Sequence, residues 1–192
     1  RIPQNWVGNL NRCKALIIPT MANMLALSGQ GVTAPMHKVE LGIDTDAFQP
    51  REFPVRKHLV FGTSGITRHG WPRKGFDECV EAFTRAFPTG RIVIDQGEFP
   101  KDKLADWYAS LDVYLCMSRG EGWGLMPHEA AAMGRPSILP MFFGFSEYMQ
   151  ADMCYPVDYD LVPATHYYEG NGAWAEPDVD HAAQIMRHIY NN

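Results

Sequence analysis

Apolar positions along this chain fall into two alternating rhythms, short continuous runs of strand length and longer stripes that recur every three or four residues. Lys14–Pro19 is a short apolar run that predicts a buried strand, and Met21–Leu27 follows at helical spacing and stops before Gly29. Lys38–Gly42 alternates and predicts another strand. Arg51–Arg56, with Pro50 and Pro54, reads as a linker. His58–Phe61 predicts a buried strand that runs into a turn at Gly62-Thr-Ser-Gly65. Phe76, Cys79, Val80, Phe83 and Phe87 then fall on one helical face, and Pro88 and Gly90 stop that helix. Further along, Arg91–Ile94, Asp112–Cys116 and Pro136–Pro140 read as strands. Lys101–Leu111, Leu125–Met133 and Asp178–Tyr190 read as helices, and Tyr155–Ala175 reads as a long loop by composition.

Short strands alternating with helices specify an α/β fold, a Rossmann-like parallel sheet with helices on both faces. In such sheets ligands sit outside the carboxyl ends of the strands, so the loops to inspect are 62–74, 95–99 and 118–125.

Composition narrows the class. In 192 residues, 46% are hydrophobic and 20% charged, which excludes a disordered chain. The net charge of −5 argues against a nucleic-acid partner. No apolar run approaches membrane-spanning length. Cys13, Cys79, Cys116 and Cys154 are far apart, in apolar surroundings and without zinc spacing, and are expected to be buried free thiols in a reducing, cytoplasmic setting. The chain opens without an initiator Met or an apolar leader, and it is expected to be a piece of a longer protein.

The candidate chemistry lies in two stretches. The first is Ser118-Arg-Gly-Glu-Gly-Trp-Gly-Leu-Met-Pro-His-Glu129. Its glycines let the backbone come close to a ligand after a strand, and the helix beginning near Leu125 aims unpaired N–H groups and a partial positive charge at whatever occupies the turn. Glu121 in that turn would repel a bare phosphate, so a ligand carrying both hydroxyls and phosphates fits best. Glu129, one turn into the helix, could hold a second diol. The alternative is that both glutamates merely interact favourably with the helix N-terminus. The second stretch is Arg68-His-Gly-Trp-Pro-Arg-Lys-Gly75, a basic loop in an acidic chain. Arg68, Arg73 and Lys74 there suit a diphosphate.

Glu121 to Glu129, continued by Ala130-Ala-Ala-Met-Gly-Arg-Pro-Ser-Ile138, resembles the E-x7-E signature of retaining glycosyltransferases of family 4. Gly42-Ile-Asp-Thr-Asp-Ala-Phe-Gln-Pro50 resembles the segment where that family's N-terminal domain hands over to its C-terminal one, and Arg73-Lys-Gly75 resembles its basic loop. The resemblance implies the C-terminal, donor-binding domain of a GT-B enzyme over 43–192, with residues 1–42 as a remnant of the N-terminal domain and interdomain segment. It implies that Glu121 contacts the donor sugar and that Lys74, with Arg68, stabilises the diphosphate; these three form the expected catalytic set. Thr63, Ser64, Gly65, Gly122, Trp123, Gly124, Leu125 and Glu129 would bind the donor, Glu129 through the ribose. No metal or other cofactor is implied beyond the nucleotide-diphosphate sugar, which is the donor substrate. The resemblance leaves the acceptor open among a glycan, a lipid and a small molecule. A missing N-terminal domain or a partner chain would complete it.

The expected activity is metal-independent transfer of a glycosyl group to an acceptor hydroxyl, of hexosyltransferase type. The alternatives are a truncated module that binds sugar nucleotide without transferring, and another GT-B enzyme such as a sugar-nucleotide epimerase. Asp44-Thr-Asp46 and Asp158-Tyr-Asp160 match a metal-binding D-x-D pattern, yet neither is expected to hold a metal. His128 is expected to pack or cap, and Trp107, Tyr108 and Trp174 to be core or rim aromatics.

Overall fold

The computed structural model describes residues 2, 4–64, 72–90, 93–95, 101–150, 152–165 and 172–192. Helix α1 (Gln4–Leu10) precedes a small unit made of β1 (Leu16–Ile18), α2 (Met21–Ser28) and β2 (Met36–Lys38). Its two strands pair in parallel, Leu16 with Met36 and Ile18 with Lys38. Thr20 caps α2 by accepting from the Asn23 N–H at 3.1 Å. The second strand therefore ends where the alternation of Lys38–Gly42 begins. Beyond Ile18 the pairing strand turns into Pro19 and the α2 cap, and the ladder ends at the bond from the Val39 N–H to the Ile18 carbonyl at 3.0 Å.

The main sheet has five strands, β3 (Phe61–Ser64), β4 (Val93–Asp95), β5 (Val113–Leu115), β6 (Ser137–Pro140) and β7 (Cys154–Val157). They lie in the order β4-β3-β5-β6-β7, all parallel. The helices between and after them are α3 (Phe76–Ala86), α4 (Lys101–Ala109), α5 (Leu125–Ala132) and α6 (Val179–Asn191). Side chains alternate across β5 as the strand period requires. Val113 and Leu115 join Phe61, Ile138 and the α3 and α6 residues Phe83 and Met186 in one core. Tyr114 points the other way, into a second core with Tyr108 of α4, Ala130 of α5 and Phe48. The sheet is thus covered on both faces, as the alternation of elements predicts.

Three local expectations need correction. Gly62 and Thr63 are strand residues rather than turn residues, because Gly62 is paired on both sides, with Val93 and with Tyr114. Tyr155–Ala175 is not simply a loop. It contains the end of β7, then β8 (Tyr159–Pro163), and runs into β9 (Ala173–Pro177), an antiparallel pair in which Tyr159 faces Pro177. Its Tyr- and Gly-rich composition concealed the two short strands. Cys13 is exposed, whereas Cys79 and Cys154 are buried. Cys13 follows the end of α1, where its thiol lies 3.7 Å from the Asn9 carbonyl instead of inside a core.

The linker Arg51–Arg56 is fastened by a residue that periodicity does not single out. Arg135 is fully buried. Its guanidinium donates to the carbonyls of Arg51 at 2.9 Å and Glu52 at 3.1 Å, and to those of Tyr108 and Ala109 at 3.3 Å. It also lies 4.2 Å from the centre of the Phe53 ring. One cation thus satisfies the carbonyls at the end of α4 and ties the linker to the domain.

Candidate functional site

The chain leaves β3 toward β4 on one side, whereas β5 continues toward β6 on the other. The crevice at their carboxyl ends is the switch point where such sheets bind ligands. A pocket of about 390 Å³ opens there, lined by Thr63, Ser64, Tyr114, Ser118, Glu121 and Lys74 together with the start of α5. Leu41, from the segment that follows β2, forms part of its rim.

Lys74 reaches the pocket because the 3-10 turn Pro72–Lys74 is pressed against the loop that leaves β5. Gly75 makes the approach possible. Its φ is 63°, and a Cβ at that position would lie 1.8 Å from the Met117 carbonyl oxygen. The turn is then clamped. The Arg73 carbonyl accepts from the Arg119 N–H at 2.8 Å and lies 3.2 Å from the Ser118 hydroxyl oxygen. Arg73 donates back to the Gly120 carbonyl, and the Arg119 guanidinium donates to the Pro72 carbonyl.

Arg119 is the organising residue that the sequence reading missed. It is 7% exposed, and its guanidinium also engages Glu176 of β9, at 2.5 Å through Nε, and Glu78 of α3 at 2.7 Å. Although burial opposes the charge, the two carboxylates hold its pKa above the ordinary arginine value. Its signal in the sequence was faint, a cation between a strand end and a glycine turn, with both partners far away along the chain.

Within the pocket Lys74 Nζ lies 2.5 Å from Glu121 Oε1. The same carboxylate oxygen accepts from the Ser118 hydroxyl at 2.8 Å and lies 3.4 Å from Arg73 Nη1. Two cations thus meet one carboxylate beside the N-terminus of α5. The N-cap of that helix is Gly124, with φ 92° and no side-chain cap, so the first-turn amides of Leu125 and Met126 have no acceptor from the capping residue. The surplus of positive charge suits an oxyanion, while Glu121 remains an acceptor for a hydroxyl.

Thr63, Ser64, Lys74, Glu121, Trp123, Gly124 and Leu125 are brought together around this pocket. Gly122 and Glu129 are not part of its lining. Gly122 turns its carbonyl to the Asn23 amide at 2.9 Å. Glu129 lies one turn into α5, where it accepts from the Tyr108 hydroxyl at 2.9 Å. Arg68 and Gly65, and the loop at 96–99, lie outside the described residues. The Cys79 and Cys116 thiols near the strand ends are pushed up by burial to about 11 and about 12, which keeps them protonated and without nucleophilic character.

His128 packs, as expected. Its Nδ1 accepts from the Trp123 indole N–H at 3.1 Å, and its ring lies 4.6 Å from that of Tyr148, whose hydroxyl donates to the Gly124 carbonyl at 2.5 Å. Burial lowers the His128 pKa from its ordinary 6.5. The unfolded chain therefore binds the proton more readily than the folded one, and the stability contributed by neutral His128 is lost as pH falls below 6.5 toward the folded value. The expected result is that His128→Gln flattens the rise of urea-unfolding stability with pH in that interval. An unchanged slope would show that the ring does not titrate there.

The Asp-x-Asp segments have other partners. Asp44 accepts from the N–H groups of Asp46 at 3.2 Å and Ala47 at 3.1 Å, and Asp158 lies 3.0 Å from His181. Among the described residues no group of three metal-ligating side chains converges, and no helix is long and apolar enough to cross a membrane.

The doubly wound parallel sheet, with its cationic pocket at the switch point, has the fold of solved GT-B glycosyltransferases. Sucrose-phosphate synthase from Thermosynechococcus elongatus superimposes with a TM-score of 0.74 at 15% identity, over 97% of this chain and 51% of that one. Anabaena Alr3699/HepE in complex with UDP and glucose superimposes with a TM-score of 0.68 at 15% identity, over 96% of this chain and 55% of that one. The chain belongs to the family described as glycosyl transferases group 1, whose model matches residues 74–192. It is 28% identical to the lipopolysaccharide core biosynthesis mannosyltransferase LpsB of Rhizobium meliloti, over 74% of this chain and 50% of the relative. It thus spans about half the length of that curated relative.

Proposed function

We propose that residues 43–192 form the donor-binding half of a retaining glycosyltransferase of family 4, acting on a nucleotide-diphosphate sugar without a metal ion. In this reading residues 1–42 are a remnant of an N-terminal domain and the interdomain segment, in keeping with the separate sheet of β1 and β2. The observation that carries the proposal is the meeting of Lys74 and Glu121 at 2.5 Å beside the uncapped start of α5, at the switch point of the sheet. The diphosphate lies against Lys74 and the α5 amides, and the sugar hydroxyls face Glu121.

During transfer the bond from the sugar's anomeric carbon to the diphosphate breaks as the bond to the acceptor oxygen forms. The acceptor's proton passes to a phosphate oxygen. Lys74 stabilises the charge that develops on the departing diphosphate. With the N–H groups of α5, its ammonium does the work a divalent cation does elsewhere.

Isothermal titration with UDP, GDP and their sugar forms in excess EDTA tests the reading. The expected result is binding of at least one nucleoside diphosphate, with a stabilisation of about 2.7 kcal/mol at a hundred times its Kd. No binding across the panel would overturn the donor site. Binding restored only by magnesium or manganese would overturn the metal independence. Because the chain spans half of its curated relative, transfer is assayed separately, by release of nucleoside diphosphate from a bound sugar nucleotide.

A further inference from the structure

Tyr148 stands outside the lining of the donor pocket, yet its hydroxyl reaches the first turn of the helix that borders it. It follows the 3-10 turn Phe143–Glu147 after β6, and that turn is held from several sides. Gly144 donates its N–H to the Glu121 carbonyl at 3.1 Å. Glu147 lies 3.0 Å from the Lys38 ammonium of β2 and accepts from the Met21 N–H at the start of α2. Phe145 is fully buried, its ring so close to Gly124 that a Cβ there would lie 2.3 Å from it.

The Tyr148 ring stacks on Trp123, with centroids 4.9 Å apart and planes at 25°. Its hydroxyl ends on the Gly124 carbonyl at 2.5 Å. Burial raises the phenol's pKa above the ordinary tyrosine value, so the hydroxyl keeps its proton and donates. The same carbonyl accepts the first bond of α5, from the His128 N–H, and that bond is long at 3.4 Å. A helical carbonyl tilted toward a donor outside the helix has just this effect on its own helical bond.

Covalent geometry carries the orientation to the next amide. The Gly124 carbonyl and the Leu125 N–H belong to one peptide unit, which is planar and trans, so the two point in opposite directions. A carbonyl fixed on Tyr148 therefore fixes the direction of the Leu125 N–H. Leu125 lines the donor pocket, and its N–H is one of the four that a helix leaves without an intrahelical acceptor. Gly124 itself has φ 92° and no side-chain cap, so the glycine turn sets little of this orientation alone.

We propose that Tyr148 is a positioning residue of the donor site, holding the Gly124 carbonyl from outside the pocket and so aiming the Leu125 N–H at a phosphate oxygen. This role rests on the donor reading above and adds to it the side chain that orients the amide. Lys74 supplies charge that acts at any angle, whereas the amide acts only along its own direction, and a group fixed in advance needs no reorganisation when the diphosphate arrives.

The test compares the full chain with Tyr148→Phe, which keeps the ring and removes only the hydroxyl. The probes are UDP and GDP, the nucleosides uridine and guanosine, and inorganic pyrophosphate. Binding is read by titration and by the backbone amide NMR signals of the isotope-labelled protein. The expected result is a roughly three- to tenfold weaker affinity for the nucleoside diphosphate, the scale of one hydrogen bond, with nucleoside affinity unchanged. The Leu125 amide signal moves on diphosphate binding in the parent and moves less in the variant, a signature that general destabilisation does not give. Replacing Tyr148 by para-aminophenylalanine, whose N–H donates from nearly the same place, restores most of the affinity.

Unaltered diphosphate binding in Tyr148→Phe, equal losses for nucleoside and diphosphate, or a Leu125 signal indifferent to the diphosphate would each overturn the proposal. Failure of the amino analogue to recover affinity would overturn it too, since the ring and not the donor would then matter. Absence of nucleoside diphosphate binding in the parent is a different result, because it refutes the donor reading. Pyrophosphate then decides the role of Tyr148: a Leu125 shift that depends on the hydroxyl supports it, and the lack of one overturns it.

Discussion

Lys74→Ala is expected to weaken a nucleoside diphosphate by roughly ten- to a hundredfold while leaving the affinity for the free nucleoside unchanged. The magnitude follows from losing one charge-assisted hydrogen bond, about 1.5–3 kcal/mol, at 1.4 kcal/mol per tenfold. The selectivity follows from position. Lys74 lies beside Glu121 and the start of α5, on the side of the pocket suited to phosphate charge. Titration calorimetry with both ligands reads the difference, and equal losses for the two would remove Lys74 from the phosphate site.

The same geometry gives Glu121→Gln an opposite sign. Glu121 engages the Lys74 ammonium at 2.5 Å, so neutralising it frees that ammonium for phosphate. The nucleoside diphosphate is expected to bind somewhat more tightly in this variant. The complete sugar nucleotide is expected to lose affinity relative to it, because the sugar's charged acceptor is gone. If both ligands weaken together, the carboxylate serves the loop and not the sugar.

The second large effect is expected at Arg119. Arg119→Met leaves the carboxylates of Glu78 and Glu176 without their cation; Arg119 is 8% exposed in its side chain, but Glu78 is 20% and Glu176 38% exposed, so water takes up part of the loss. The cost is about 1–3 kcal/mol, below that of breaking a fully buried pair. Against a total stability of about 5–15 kcal/mol the variant still folds, and its urea midpoint falls accordingly.

The ligand readout separates positioning from plain destabilisation. With the Arg119 side chain gone, the Pro72 carbonyl keeps only the Gly75 N–H, at 3.2 Å, and the turn that carries Lys74 loses that tie to the loop after β5. Diphosphate affinity of the folded protein is then expected to fall as it does in Lys74→Ala, with nucleoside affinity unchanged. Arg119→Lys restores the charge but not the fork that reaches Glu176, Glu78 and Pro72 at once. It is expected to recover part of the stability and little of the diphosphate affinity. A destabilised variant with unaltered diphosphate binding would make Arg119 structural alone.

Much of the architecture was legible from local pattern. The apolar stripe marks α3, whose Cys79 and Phe83 are buried against the sheet with Phe87 packed beside them, although Ala82 and Ala86 rather than Phe76 and Val80 complete the buried face; three short apolar runs between helices fixed the parallel arrangement. The glycine turn before α5 was legible for the same reason, since Gly120, Gly122 and Gly124 between a strand and a helix leave few backbone paths. So was the pairing of a cationic loop with a glutamate-bearing turn, because both follow strands whose carboxyl ends must share one edge of the sheet.

What the sequence left open depends on contacts between residues far apart along the chain. Gly62 and Thr63 look like a turn by type, and only pairing with β4 and β5 makes them strand. β8 and β9 are recognisable only as partners of each other, because β8 is almost wholly exposed and β9 buries the adjacent residues Trp174 and Ala175, so neither shows the alternation that would set a period. Arg119 gathers Glu78, Glu176 and the Pro72 carbonyl at a single guanidinium, partners that lie far apart along the chain. Sequence pattern determined which elements form and at which end of the sheet the chemistry gathers, because periodicity and backbone freedom are local properties. The tertiary structure decided which of those residues touch, because a buried charge takes its partners from wherever the fold brings them.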